Sequence, residues 1–229
     1  MTKLAIIHTT PATVDSLKSL AVEYMPDCSV INFVDDSILP QLAEYDGDLS
    51  VVEERLLAYA RFSEQVGADI LLEACSSVGE VTKIMKLALS IPVVRIDEAM
   101  ADMAVQKGSE IGVAATLRTT LNPTSKLLLE KAQQAGKEIH LNKILVNEAY
   151  QALMAGDREK HDLILSQALA KLAEQSEVVV LAQASMAGVI GRIPQEQQHK
   201  FLSSPRLAME SIKNIRDSIK TETNKGKSV

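Results

Sequence analysis

Cys75 is the residue with the clearest capacity for chemistry. It follows the apolar run Ile70–Leu72, within Asp69-Ile-Leu-Leu-Glu-Ala-Cys75-Ser-Ser77, and precedes a stretch of helical character that starts near Ser77. In open parallel sheets, ligands bind beyond the carboxyl ends of the strands. A thiol at such an end can act as a nucleophile or a proton carrier. Ser77-Val-Gly-Glu80 has the spacing of a capping box, with Ser77 as N-cap and Glu80 returning to it. Unpaired N–H groups and the helix dipole at such a start favour the thiolate. The bland alternative is a buried small hydrophobe, as most free cysteines are; the polar flanks Ser76 and Ser77 favour the functional reading. Glu73, two residues earlier, points to the same side of the strand. It can hold the thiol protonated or act as a base, although pairing with a Lys or Arg is its ordinary role. Cys28, between Asp27 and Ser29, lies at the wrong end of its strand and is read as structural.

The same strand-then-polar-turn pattern recurs. Asp69–Ser77 aligns without a gap on Glu177-Val-Val-Val-Leu-Ala-Gln183-Ala-Ser185, an offset of 108, and Leu4–Thr9 aligns on Ile111–Thr116, an offset of 107. Agreement on one spacing indicates two similar halves. Ser77 and Ser185 are then equivalent, each expected to cap a helix, and two such helix starts suit a small carboxylate. Other strand-end candidates are His8–Thr10, Asp35–Asp36, Asp97–Glu98 and Thr116–Thr120. Thr9, Thr10, Thr116, Thr119 and Thr120 offer hydroxyl donors, and Arg118 a charge. His8 ends the first strand, where a ligand-facing role competes with a structural one.

Composition narrows the classes. The 229 residues carry 24 basic against 30 acidic side chains, a net charge of −6, which argues against a nucleic-acid partner. Aromatic content of 3% with no Trp leaves no base-stacking platform. Two cysteines make no disulfide framework, and the four histidines lack metal-ligand spacing, so no metal site is expected. Neither GxGxxG nor GxxxxGK[ST] occurs where a phosphate loop would need it. No apolar run approaches the ~18 residues of a membrane span, and the N-terminus lacks a signal-peptide layout. A cytoplasmic protein acting on a small molecule, with no membrane partner, is the expectation.

The elements must position Cys75 and its counterparts. Leu4–Ile7, Val30–Phe33, Ile70–Leu72, Val93–Ile96, Ile111–Ala115, Ile139–Val146 and Val178–Leu181 read as strands, separated by segments of helical period. Ser50–Val66 carries Val52, Leu56, Ala60 and Ser63 on one side and stops at Gly67. Unbroken apolar strands alternating with helices predict an α/β fold with parallel sheets. Pro205–Lys220 reads as a final helix, striped by Ala208, Ile212, Ile215 and Ile219, with a polar, disordered tail after it.

Two lobes, a cysteine after a strand in the first, and the same turn in the second: this arrangement resembles the aspartate/glutamate/hydantoin racemase superfamily. The likeness rests on Asp69–Ser77, Ile111–Thr119, Val178–Gly188 and the Ser204-Pro205 helix. It implies a first lobe of residues 1–98 plus 205–220, a second of 99–204, and a tail at 221–229. It further implies a pseudo-two-fold between the lobes, an active site in the inter-lobe cleft, no cofactor, and a homodimer or higher homo-oligomer. Cys75 fits the first-lobe catalytic cysteine, but the second falls at Gln183. A neutral amide has no titratable proton near neutral pH, so Gln183 can orient or stabilise but not reprotonate.

Three classes follow. The first is a racemase-like isomerase in which Cys75 moves a proton next to the carboxylate of a small amino, hydroxy or sugar acid, with Gln183 orienting it and His8 as the stand-in second donor. His8, Thr9, Ser76, Ser77, Thr116, Thr119 and Ser185 would bind the substrate. The second is a one-cysteine decarboxylase, or a hydrolase or lactonase. The third is a non-catalytic carboxylate-binding protein.

Overall fold

Val, Ile and Leu dominate the segments that become strands, because such side chains pack well on a pleated surface covered on both faces. The computed structural model describes residues 1–225 and divides them into two units. In the first, Met1–Ile96 with the chain from Pro205 onward, β1 (Thr2–His8), β2 (Cys28–Val34), β3 (Ile70–Glu73) and β4 (Val93–Arg95) form a parallel sheet in the order β2-β1-β3-β4. The second, Asp97–Ser204, repeats it with β5 (Glu110–Ala115), β6 (His140–Leu145), β7 (Val178–Leu181) and β8 (Phe201–Ser203) in the order β6-β5-β7-β8. Register repeats as well. Leu4 lies opposite Ile70 and Ile111 opposite Val178; Glu73 lies opposite Arg95 and Leu181 opposite Ser203. Strand β8 was not expected. Only Phe201 and Leu202 are apolar there, between Lys200 and Ser203, so no apolar run marks it.

The helices of the first unit are α1 (Val14–Tyr24), α2 (Ile38–Glu44), α3 (Ser50–Gln65) and α4 (Thr82–Ala88). Those of the second are α5 (Glu98–Lys107), α6 (Arg118–Gln134), α7 (Asn147–Met154), α8 (Arg158–Glu174) and the short α9 (Gln195–Gln198); α10 (Ser204–Lys225) closes the chain. Helix α3 stops as expected. Gly67 takes φ +75°, its N–H bonds to the Glu64 carbonyl at 2.9 Å, and the Ala68 N–H bonds to that of Ser63 at 3.0 Å.

Alternation along the strands of the first unit feeds two cores. Ala5, Ile7, Leu71 and Val93 pack with Val52, Leu56 and Ala60 of α3 and Met85 of α4. Leu4, Ile6, Ile70, Leu72 and Val94 pack on the other face with Leu17 and Ala21 of α1 and with Ala208, Met209 and Ile212 of α10. Each fully buried Leu or Ile contributes roughly 1.5–3 kcal/mol over its exposed form. The second unit buries Ala114, Val179, Leu181 and Phe201 against Leu165, Leu169 and Leu172 of α8. Helix α10 is fastened to the first unit at its far end too, where Asp27 accepts from Arg216 at 3.0 Å and from Lys220 at 2.7 Å. It continues through Lys225, so residues 221–225 are helical where a tail was expected; no Gly or Pro interrupts the sequence before Gly226. The rest of that expected tail, 226–229, lies outside the described residues. No helix among the described residues is long and apolar enough to cross a membrane.

Candidate active site

In each sheet the chain leaves the first strand toward one edge and returns on its other side, which opens a crevice at the carboxyl ends of the two central strands. In the first unit these are β1 and β3. The Ala74 N–H bonds to the Ile7 carbonyl at 3.0 Å, which carries the ladder one residue past β3. Cys75 comes next, still extended at φ −133° and ψ 112°, and its N–H donates to Glu73 Oε1 at 2.8 Å. The Cys75 carbonyl then accepts from the Val78 N–H at 3.1 Å and opens a 3-10 turn, Ser76–Val81, ahead of α4. Ser77 therefore lies inside the turn and is not its cap. The backbone stays extended through residue 75, so Cys75 itself holds the capping position, with no side-chain cap bond. Cys75 is half-buried; Ser76 and Ser77 are buried.

The expectation of a thiolate is overturned. Burial first, and then the negative charge of Glu73, push the Cys75 thiol up to about 11 from its ordinary 9.0. The Thr9 hydroxyl, hydrogen-bonded to the sulfur, and the N–H groups of Ser77 and Val78 pull the other way and do not prevail. A six-residue 3-10 turn lacks the aligned dipole of a long helix, and a buried carboxylate lies two residues back. Cys75 thus rests as a thiol near neutral pH.

His8, at the end of β1, is fully buried with both ring nitrogens engaged: Nδ1 with Thr13 Oγ1 at 2.8 Å and Nε2 with Asn32 Oδ1 at 2.9 Å. The Asn32 oxygen can only accept, so Nε2 carries the proton and donates. Burial lowers the His8 pKa, against the opposing bond to Asn32, and keeps the ring neutral. It ties β1 to β2 and to the loop before α1, and has no ring nitrogen left for a substrate.

In the second unit β5 and β7 flank the equivalent crevice. The Ala182 N–H bonds to the Ala114 carbonyl at 3.0 Å. Gln183 is extended at φ −125° and ψ 132°, and its carbonyl accepts from the Met186 N–H at 3.1 Å to open the 3-10 turn Ala184–Arg192. Gln183 Oε1 accepts two bonds from Thr116, at 2.6 Å from its N–H and 2.9 Å from its hydroxyl. That fixes the amide, with the oxygen turned inward and the NH2 group left to donate. Ser185 is exposed inside the turn, again not a cap. Thr119 is half-buried in the first turn of α6, which Leu117 opens without a side-chain cap.

Two further strand-end candidates, Asp35 and Glu98, are occupied structurally. Asp35 accepts from the Ser37 N–H at 3.1 Å and from the Tyr59 hydroxyl at 3.0 Å, and pairs with Arg55 at 3.4 Å. Glu98 pairs with Lys131 at 3.0 Å. Among the described residues no group of three or more His, Cys, Asp or Glu side chains is placed to hold a metal ion. Sequence reasoning missed Arg95, buried at the end of β4, and Gly79, whose face it covers. The available signal was a lone charge in the apolar run Val93-Val-Arg-Ile96. It also missed Asn32 and Thr13 as the partners of His8; nothing in their spacing marks them.

The chain matches the Asp/Glu/Hydantoin racemase family model over residues 4–212. No curated protein matches it in sequence. Among solved structures it is similar to a glutamate racemase isoform from Bacillus anthracis, with 17% identity and a TM-score of 0.72 over 95% of this chain and 82% of that one. An aspartate racemase from Picrophilus torridus gives 11% identity and a TM-score of 0.71 over 92% of each chain. An allantoin racemase from Klebsiella pneumoniae gives 16% and 0.66 over 95% of this chain and 88% of that one. Identities this low speak for the fold; the family match speaks for membership. Two repeated α/β units under a family match that runs from residue 4 to residue 212 make the chain a member of the Asp/Glu/hydantoin racemase family and an enzyme of that isomerase superfamily.

Proposed function

We propose that this enzyme moves a proton at a carbon next to the carboxylate of a small amino, hydroxy or sugar acid, without a cofactor. Cys75 is the acid–base group, and the Gln183 amide donates to the carboxylate or the developing enolate oxygen. The observation that carries the reading is the contrast between two equivalent turns, a thiol held protonated after β3 and an amide locked by Thr116 after β7. The Cys75 thiol first loses its proton to solvent. The thiolate takes the α-proton, giving a thiol and the enolate, and the S–H then returns a proton to that carbon, restoring the thiolate and the neutral C–H. The uncapped first turn of α6 and the hydroxyls of Thr119 and Ser185 are the further donors for a carboxylate, as are Ser76 and Ser77 beside the thiol, while the Thr9 hydroxyl is engaged by the sulfur. His8 leaves the list of donors, since both its nitrogens are engaged. The relatives named as glutamate, aspartate and allantoin racemases support racemisation as the reaction, with water as the slower second proton source that inverts the carbon in a minority of turnovers.

A second reading has a specific observation in its favour. A resting thiol suits an enzyme that only donates, such as a decarboxylase protonating the enolate left by loss of CO2. Incubation in D2O with a panel of small amino, hydroxy and dicarboxylic acids separates the two. Cys75-dependent deuterium at the α-carbon of unchanged acid supports the isomerase, and deuterium only in a decarboxylated product supports the alternative. Label that persists in Cys75→Ala contradicts both. A homodimer or higher homo-oligomer belongs to the same proposal; sedimentation as a monomer at micromolar concentration would remove it.

A further inference from the structure

At three equivalent places the units differ in a concerted way. Glu73 ends β3, Arg95 ends β4 opposite it, and Gly79 lies in the turn after Cys75; at the offset of 108 these positions become Leu181, Ser203 and Ala187. Glu73 and Leu181 are both fully buried, and Arg95 is 3% exposed. A buried carboxylate and guanidinium cost folding free energy that a leucine and a serine do not. The charges therefore need a role found only in the first unit, and their contacts indicate one. Glu73 Oε1 takes the Cys75 N–H at 2.8 Å. The Arg95 side chain lies flat on Gly79, where a Cβ would overlap its Nε and Cζ. In the second unit Ser203 stands where the arginine would be, and Ala187 takes the place of the glycine.

We infer that Glu73 and Arg95 are positioning residues for Cys75: the carboxylate fixes the cysteine main chain and sets a negative charge beside the thiol, and the guanidinium, seated on Gly79, holds the turn that carries it. The inference deepens the proton transfer proposed above and rests on it. The direction of the Cys75 shift agrees, since the Glu73 charge raises it in addition to burial. Further titratable groups on the neighbouring elements are His8 on β1, kept neutral, Glu80 in the turn itself, Lys83 and Lys86 on α4, Glu53, Glu54, Arg55, Tyr59, Arg61 and Glu64 on α3, and the buried Asp97 after β4. The consequence is a thiol that rests protonated and whose thiolate, once formed, is a stronger base toward a carbon acid.

Peptide-resolved iodoacetamide alkylation of Cys75 against pH tests this, because it reads the thiolate directly and leaves Cys28 as an internal comparison. In wild type the midpoint should lie near 11. In urea it should fall to the ordinary thiol value. Glu73→Gln keeps an acceptor for the Cys75 N–H and removes the charge. Its alkylation at pH 8 should be about tenfold faster, one unit of midpoint. A folded Glu73→Gln with the wild-type profile overturns the role of Glu73, and equal midpoints in native and unfolded wild type overturn the inference whether or not any variant folds. Gly79→Ala, which displaces the Arg95 head, should change the pH 8 rate by at least roughly threefold. An unchanged rate in that folded variant overturns the role of Arg95. A shifted thiol without deuterium exchange would leave this device standing and sink the reaction; exchange with an unshifted thiol would do the reverse.

Discussion

The two units share a scaffold and differ in chemistry. Each has four parallel strands in the same order, and each bonds a threonine at the end of its first strand to the residue that follows its third: Thr9 to the Cys75 sulfur and Thr116 to the Gln183 oxygen. Each opens the same 3-10 turn with the same 3.1 Å bond, from Val78 to Cys75 or from Met186 to Gln183. Around that common frame the first unit buries Glu73 and Arg95, and the second places Leu181 and Ser203. The frame fixes where a side chain stands at the carboxyl end of a sheet. The side chain and the charges beneath it decide what it can do there: carry a proton in one unit, donate a fixed hydrogen bond in the other.

Breaking the proton carrier should have the largest effect. Cys75→Ala is expected to lower turnover by ~10²–10⁴, the usual worth of a positioned acid or base. Its thermal midpoint should stay close to wild type, because the residue is half-buried; a steady-state assay with a melting curve checks both. Removing the donor in the other unit should cost less. Gln183→Leu keeps the size, leaves the Thr116 N–H and hydroxyl unpaired, and is expected to lower kcat by ~10² if the amide stabilises developing charge. The opposite change sharpens the comparison. Gln183→Cys gives both units a thiol on the same frame, and the fraction of deuterated product with inverted configuration should rise, as chiral chromatography would show.

Smaller effects follow from pH. If the thiol is the working form, as in the decarboxylase reading, kcat should be level from pH 7 to 9 and fall as Cys75 ionises near 11. A rising limb through the same range is expected if the thiolate takes the α-proton. The raised thiol also contributes stability that is fully present below the unfolded value of 9.0 and lost as pH rises through about 11. His8 has the opposite sign. Its folded pKa is lowered, so its contribution is present above 6.5 and is lost as pH falls through the folded value. Urea midpoints at pH 7.5 and 5.5 should therefore differ less in His8→Gln than in wild type.

The sequence carries most of the frame. Strand-like runs of three to eight residues alternating with helical segments place seven of the eight strands among the described residues. The offset of 108 puts Cys75 against Gln183 before any contact is known. Local chemistry was less legible, because it depends on groups brought together by pairing across the sheet. Ser77 reads as a cap only if the chain stays extended up to it, whereas the turn already begins at Ser76. The thiol reads as acidic only if a long helix follows it and no charge lies beneath; the fold supplies a short turn and the buried Glu73. For His8 the sequence leaves a ligand-facing and a structural role in competition, and only the fold shows that Asn32, 24 residues away, accepts from its Nε2–H.

The most direct test of a single proton carrier is the configuration of the product formed in D2O from one enantiomer of the first acid that exchanges. Deuterium at the α-carbon with retention in most turnovers, lost in Cys75→Ala, is the result predicted for a thiol in one unit and an amide in the other. Inversion in most turnovers of wild type would contradict it, since a second group would then be delivering protons from the opposite face.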